Sequence, residues 1–292
     1  LVIMRLLQVI GFIKQCAQLR KLTSSDFNTE TRWLNVQTNV VKQLNQKMQV
    51  VMQTARAQVL AKMGTHLTVA EKTSRRDLVT NVDHSNEDFL VRQIRALDPV
   101  AKILAEEGTG DQVTDMNGHV WIVDPIDGTM NFVHQRNHFA MMVGLYVDGK
   151  PTLGYIFDVM ANKLYAGGPE VGVTLNGELL AAPADVDLSA GLFGASAPLL
   201  IQDRFNMQTI IAKSLGPRIM GSAGIQISQV LAGELVGYLS YLRPWDFAAG
   251  RVLAESLGLV VSRVDGYPVN MLSSGAVLIA TRRAQRSILA IV

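Results

Sequence analysis

Trp121-Ile122-Val123-Asp124-Pro125-Ile126-Asp127-Gly128-Thr129 decides how this chain is read. Its apolar opening carries the backbone to the end of a strand. Pro125 cannot donate to a ladder, so Asp124 stands where the strand stops. Asp127 comes three residues later, and Gly128 permits a sharp turn. Two carboxylates this close repel unless one takes up a proton or a cation stands between them. Oxygen donors of this kind suit Mg2+. Taken alone, Asp-x-x-Asp is more often a solvated surface turn.

Working outward, two further acidic stretches change that balance. Ile103-Leu104-Ala105-Glu106-Glu107-Gly108 is another strand-like run ending in carboxylates and a glycine. Pro244-Trp245-Asp246 puts an acid at the start of a helix, where an isolated aspartate usually serves as a cap. Acids at the ends of several elements can line one cleft, although spacing does not show that they converge. If a helix opens at Gly128-Thr129, its free N–H groups can hold an anion such as phosphate. Metal ions and N–H donors around one cleft are what phosphoryl-ester hydrolysis needs.

Composition sets the frame. The chain has 292 residues, 48% of them hydrophobic and 18% charged, enough core material to exclude intrinsic disorder. Net charge is +2, and no Lys/Arg run exceeds two residues, so a nucleic-acid partner is not expected. A single cysteine, Cys16, excludes a disulfide framework, a Cys-type zinc site and an Fe–S cluster within one chain. A reducing, cytoplasmic location is the default, and no apolar run of ~20 residues predicts a membrane span.

Periodicity predicts a mixed α/β chain. Residues 40–63 read as an amphipathic helix ending at Gly64, and residues 86–96 as a second helix. Ile103–Ala105, Val120–Val123, Phe139–Val147 and Leu153–Asp158 read as strands, the last two joined at Asp148-Gly149. Further helices are expected at Ala223–Ala232 and Phe247–Leu257. Strands are expected at Leu235–Tyr241, Val260–Val264 and Ala276–Ala280, before a short C-terminal helix. Residues 22–34 read as a polar loop or linker, and 64–76 as a polar loop. Residues 1–13, apolar but broken by Arg5 and Gln8, read as an amphipathic extension or as residues ahead of the true start, rather than as a signal peptide.

The stretch from Trp121 to His134 resembles the signature of the inositol monophosphatases, and Pro244-Trp245-Asp246-Phe247-Ala248-Ala249-Gly250 their second signature. Asp77-Leu78-Val79-Thr80-Asn81-Val82-Asp83 resembles the upstream family segment, and Ala105-Glu106-Glu107-Gly108 the metal-binding glutamate segment. The resemblance spans about residues 40–292. It implies a layered αβαβα sandwich of the inositol monophosphatase / fructose-1,6-bisphosphatase type. Residues 1–39 would be an extension of unknown role, 40–182 an N-terminal subdomain carrying the main metal motifs, and 183–292 a C-terminal subdomain supplying Asp246. It also implies a Mg2+-dependent phosphomonoesterase with two or three ions. Glu106, Asp124 and the Ile126 carbonyl would hold the first ion, and Asp124, Asp127 and Asp246 the second. Glu106 would also reach a weaker third. Asp83 and Thr129 would orient or deprotonate the water, with Glu106 counted among the catalytic groups. Asp127, Gly128, Thr129 and Asp246 would contact the substrate, a small phosphorylated polyol or sugar. Lithium inhibition and a homodimer follow from the same resemblance.

Several positions are less decided. Lys72 matches a lysine on a mobile family loop, but reads equally as a solvated surface residue. Glu107 and Arg218 are further candidates, Arg218 being equally a plain surface arginine. The run Tyr238 to Pro244 lacks the acid that many relatives use on inositol hydroxyls, which weakens strict inositol specificity. The segment Tyr165 to Gly172 reads as an altered surface hairpin. His134 reads as a packing residue or one that supports the metal ligands from behind, and Trp245 as packing that fixes the Asp246 loop. Alternative activities are a fructose-1,6-bisphosphatase or a 3′-phosphonucleotide phosphatase. A module retaining the fold for protein or RNA contact is the non-enzyme alternative; it would show a degraded metal set or a basic stripe, and neither is visible.

Overall fold

The computed structural model describes residues 27–64, 67–75 and 77–292, with side chains described from residue 39 onward. Cys16 and the apolar stretch 1–13 lie outside the described residues. The chain divides into two compact units, Leu1–Val40 and Val41–Val292.

The elements follow in order: α1 (Phe27–Met63), β1 (Val69–Ser74), β2 (Asp77–Thr80), α2 (Asn81–Leu97), β3 (Lys102–Ala105), β4 (His119–Asp127) and α3 (Thr129–Gln135). A meander comes next, β5 (Ala140–Val147), β6 (Lys150–Asp158), β7 (Lys163–Gly168), β8 (Gly172–Leu175) and β9 (Glu178–Leu179). The remainder is β10 (Phe193–Ala195), α4 (Ala197–Ile201), α5 (Met207–Lys213), β11 (Pro217–Arg218), α6 (Ala223–Leu231), β12 (Gly237–Leu242), α7 (Pro244–Ser256), β13 (Val260–Arg263), β14 (Gly275–Ala280) and α8 (Arg282–Leu289). Among the described residues, no helix is long and apolar enough to cross a membrane.

Strands β3 to β9 form a seven-stranded sheet in chain order, parallel between β3 and β4 and antiparallel elsewhere. A five-stranded sheet has the order β11-β10-β12-β14-β13. The layers follow from period-two alternation. On β4, Trp121 and Val123 pack with Met52 and Val59 of α1 and Leu90 and Ile94 of α2. Val120 and Ile122 face the other way and pack with Ile227 of α6 and Val252 and Leu253 of α7. The same cluster holds Val277 and Ile279 from one face of the five-stranded sheet. Its opposite face, with Phe193, Leu239 and Leu278, packs on Met207, Ile210, Ala284 and Ile288. The result is the five-layer αβαβα sandwich.

Four local expectations are corrected. Residues 27–34, read as loop, lie in α1, and 22–26 are outside the described residues. No Gly or Pro interrupts Phe27–Met63, and polar residues cost a helix only a few tenths of a kcal/mol each, so polarity alone did not break it. Residues 69–74, read as loop, form β1, whose polar side chains are exposed except for the partly buried Lys72. Helix α2 starts at Asn81 rather than 86, because Thr80 and Asp83 close a capping box on its polar first turn. The Tyr165–Gly172 hairpin forms between β7 and β8, but Tyr165 to Gly168 lie buried in β7 and only its Pro169-Glu170 turn is exposed.

One close approach positions the site. Gly144 and Gly154 face each other across β5 and β6. A Cβ on Gly154 would meet the Ala249 carbonyl oxygen at 2.6 Å, and one on Gly144 would meet the Ala249 nitrogen at 3.0 Å. The missing side chains let α7 lie against the sheet and bring its first turn, with Asp246, toward the end of β4. Gly154→Ala is expected to lower unfolding stability by about 2 kcal/mol through forced helix displacement. Urea denaturation measures this; an unchanged midpoint would mean that α7 is not tightly seated.

Candidate active site

Asp124 and Asp127 are three residues apart, a spacing that puts side chains on opposite faces of a regular strand. The β4–β5 register resolves the conflict. Asp124 pairs with Met142 and Asp127 with Ala140, so three steps on β4 span two on β5. The extra residue is a bulge at Pro125-Ile126, and it returns both carboxylates to the face that carries α6 and α7. There they meet Asp246 from the first turn of α7. One carboxylate oxygen from each of Asp124, Asp127 and Asp246 lies within 4.8 Å of the others.

Local donors hold each acid. The Ile126 N–H donates to Asp124 Oδ1 at 3.1 Å. The N–H groups of Ala223 and Gly224, at the start of α6, donate to Asp127 at 3.0 and 2.8 Å, and the Ser222 hydroxyl donates to it as well. The Arg243 N–H donates to Asp246 Oδ2 at 2.8 Å. These donors do not offset the crowding. Burial pushes the Asp124 carboxyl well above its usual range, reinforced by the charges of Glu106, Asp127 and Asp246. Asp246 is pushed up to about 8, by burial and then by Asp127. Asp127 rises only to about 6, because the α6 donors counter the effect of burial.

A second group sits beside the first. Asp83 is fully buried on α2 and accepts from the Thr80 N–H at 2.9 Å and from the Thr80 hydroxyl. Its Oδ1 lies 3.1 Å from the Thr129 hydroxyl, which is also 3.1 Å from the Ile126 carbonyl. One hydroxyl proton serves one of these acceptors at a time. Burial raises the Asp83 pKa against the lowering effect of its hydroxyl donors. Gly128 caps α3 in the left-handed region at φ +89°, and a Cβ there would meet the Ser222 Cβ at 2.9 Å.

Lys72 reaches from β1 to Glu106 at 3.0 Å and Glu107 at 2.5 Å. Burial would lower the Lys72 pKa, but the Glu106 charge and the bonds to both glutamates outweigh it and hold it up. Burial raises Glu107 to about 7 although Lys72 pulls it down. The Glu106 N–H donates to the Val123 carbonyl at 3.2 Å, placing Glu106 beside Asp124.

Of the positions singled out from the sequence, Asp83, Thr129 and Gly128 stand together with the acidic group, and Lys72 binds the Glu106-Glu107 pair. Arg218 does not join them: it lies exposed on β11, and its guanidinium donates to the neighbouring Pro217 carbonyl at 2.8 Å. His134 is exposed and does not pack as expected, because the last turn of the short α3 faces solvent. Trp245, in the first turn of α7, packs against the core, and the Arg243 guanidinium lies 5.7 Å from its ring centre. Ser222 escaped the sequence reading as an Asp127 partner. Its one signal was its place before Ala223, where it caps α6 by accepting from the Ile225 N–H at 3.2 Å.

The sandwich thus gathers carboxylates from a strand end and a helix start into one group that could hold a metal ion. The chain belongs to the inositol monophosphatase family, whose profile matches residues 37–292. It is 35% identical over 229 residues to the inositol-1-monophosphatase of Bacillus subtilis, covering 77% of this chain and 86% of that protein. It is 30% identical over 227 residues to the protein named Nus factor SuhB of Escherichia coli, covering 76% and 84%. A crystal structure of an IMPase/NADP phosphatase complexed with Mg2+ and phosphate superposes with TM-score 0.80 at 27% identity, covering 86% of this chain and 95% of that one. Family membership makes the chain a phosphatase hydrolase with a small phosphorylated substrate, and its acidic group is able to take a metal ion.

Proposed function

We propose that this chain is a Mg2+-dependent phosphomonoesterase acting on inositol monophosphate or a similar small polyol or sugar phosphate. The observation that carries this reading is the group Asp124, Asp127 and Asp246, three carboxylates converging from two elements. Their pKa values lie above the ordinary range because repulsion and burial are not balanced by a positive charge. An oxygen-only donor set in that state fits a hard divalent cation. Glu106, Asp124 and the Ile126 carbonyl would hold one ion, and Asp124, Asp127 and Asp246 another, with a third near Glu106. When bound, Mg2+ supplies charge stabilisation on the phosphoryl oxygens and lowers the pKa of water.

The remaining steps belong to the chain's own groups. The Thr129 hydroxyl accepts from the attacking water while donating to Asp83. Asp83, whose pKa is raised by burial, is the better proton acceptor for it. The N–H groups of Gly128 and Thr129 would bind the phosphate, and water would attack in line. Subdomains 40–182 and 183–292 would meet at this cleft, which the origins of Asp124 and Asp246 in different halves support. Thr129→Ala is expected to lower kcat on the order of 100-fold with little change in KM. Steady-state kinetics measure it; a change confined to KM would give Thr129 a binding role only.

The decisive experiment is phosphate release with and without Mg2+. Its substrates are inositol 1-phosphate, glycerol 2-phosphate, fructose 1,6-bisphosphate, 3′-phosphoadenosine 5′-phosphate and NADP. NADP is included because a structural neighbour is described as an IMPase/NADP phosphatase. Lithium added to the same assay is expected to inhibit. Mg2+-dependent turnover supports the reading, and the preferred substrate names the subclass. Folded protein that binds Mg2+ and turns over none of these would favour a binding role.

A further inference from the structure

Helix α2 carries a second buried carboxylate that the proposed chemistry does not use. Glu87 lies one helical turn after Asp83 on the same face and has no exposed surface. Its Oε2 accepts from the Glu107 N–H at 2.7 Å. Its Oε1 accepts from the Thr109 N–H at 2.9 Å and the Thr109 hydroxyl at 2.8 Å. All three donors belong to the turn just after Glu106. Gly108 between them has φ +88°, a conformation that aims successive N–H groups at one side and makes a concave anion site. Here the anion is the protein's own carboxylate.

The turn is therefore held from two directions. The Glu106 N–H is bonded to the Val123 carbonyl of β4, next to Asp124. One residue further on, Glu87 holds the turn to α2. The same helix presents Asp83 to Thr129. Helix α2 is thus the common frame for the Asp83–Thr129 pair and for Glu106.

We propose that Glu87 is a positioning residue that sets the orientation of Glu106, and through it the metal affinity of the site. The inference rests on the proposed function for the role of Glu106. Its physical basis is the two-oxygen acceptor set. An amide offers one oxygen and one NH2, so glutamine at 87 turns a donor toward an N–H and the turn must rotate. The cost falls on metal affinity rather than on the chemical step. Residues supporting a ligand typically change metal affinity about 10- to 100-fold.

The test compares wild type, Glu87→Gln and Thr109→Val. Mg2+ and Mn2+ binding to the substrate-free protein is measured by calorimetry, and kcat and the half-activating Mg2+ concentration are measured at saturating substrate. For Glu87→Gln the expected result is binding weakened about tenfold and a half-activating concentration raised in proportion. Its kcat at saturating Mg2+ should stay within about threefold of wild type. Thr109→Val, which removes one donor, is expected to move both constants the same way by about threefold, and it carries the test if Glu87→Gln does not fold. A merely structural role would lower the folded fraction and apparent kcat without moving the metal constants. Unchanged constants in both folded variants would overturn the inference while leaving the proposed function intact. A wild-type protein that neither binds nor needs Mg2+ would overturn both.

Discussion

Asp124→Asn is expected to lower phosphate release roughly 1,000-fold while making the metal-free protein more stable. The two effects have one cause. Asp124 is 1% exposed and crowded by Glu106, Asp127 and Asp246, so the metal-free fold must carry its charge or take up a proton. An amide of the same shape does neither and keeps an oxygen for the Ile126 N–H. The gain is about 1–2 kcal/mol, a rise in thermal midpoint of roughly 3–6 °C. With Mg2+ the order is expected to reverse: wild type would gain midpoint from the ion and the variant would gain little, because the proposed site would lose a carboxylate donor. Thermal scans with and without Mg2+, beside the phosphate-release assay, check both halves. A variant destabilised without Mg2+ would show that the acids are solvated rather than in conflict, and near-normal turnover would remove Asp124 from the site.

The second large effect is a pH dependence that Mg2+ erases. The folded pKa values of Asp127 and Asp246 are raised, to about 6 and about 8, above an ordinary value of 3.8. Between the unfolded and folded values the native state holds more protons, so its stability falls as pH rises. The metal-free protein is therefore expected to be most stable near the bottom of that window and to lose stability up to about pH 8. Its midpoint should be lower by at least roughly 4 °C at pH 8 than at pH 5.5. Mg2+ competes with those protons, so its stabilisation should grow over the same interval and flatten the profile. Lowered carboxylate pKa values give the opposite slope, and a midpoint that climbs from pH 5.5 to 8 without Mg2+ would mean that the acids are individually compensated.

Much of this site was readable in the chain. Strand β4 is a largely apolar run because both its faces are buried, but it does not stop at Asp124: Pro125 opens a bulge, and pairing with β5 resumes at Asp127. The acids of β4, of the Glu106 turn and of the α7 start stood out because each follows an apolar run or opens a helix. Glu87 did not stand out, since a glutamate within an amphipathic helix looks like any solvated one. Its burial is set by a turn some twenty residues away, whose N–H groups point at it only because Gly108 has a positive φ. Lys72 was likewise undecided until β1 placed its ammonium between Glu106 and Glu107.

By itself the sequence determined the residue types, the element ends on which they sit, and the hard-oxygen chemistry those types permit, because these depend on local periodicity and turn chemistry. Convergence was decided only in three dimensions. Asp124 and Asp127 share a face because one extra residue on β4 bulges against β5, and strand pairing is a property of two strands. Asp246 joins them because Gly144 and Gly154 let α7 approach the sheet more closely than any side chain would permit. Register and close packing are non-local, and they turn scattered acids into one crowded group able to take a cation.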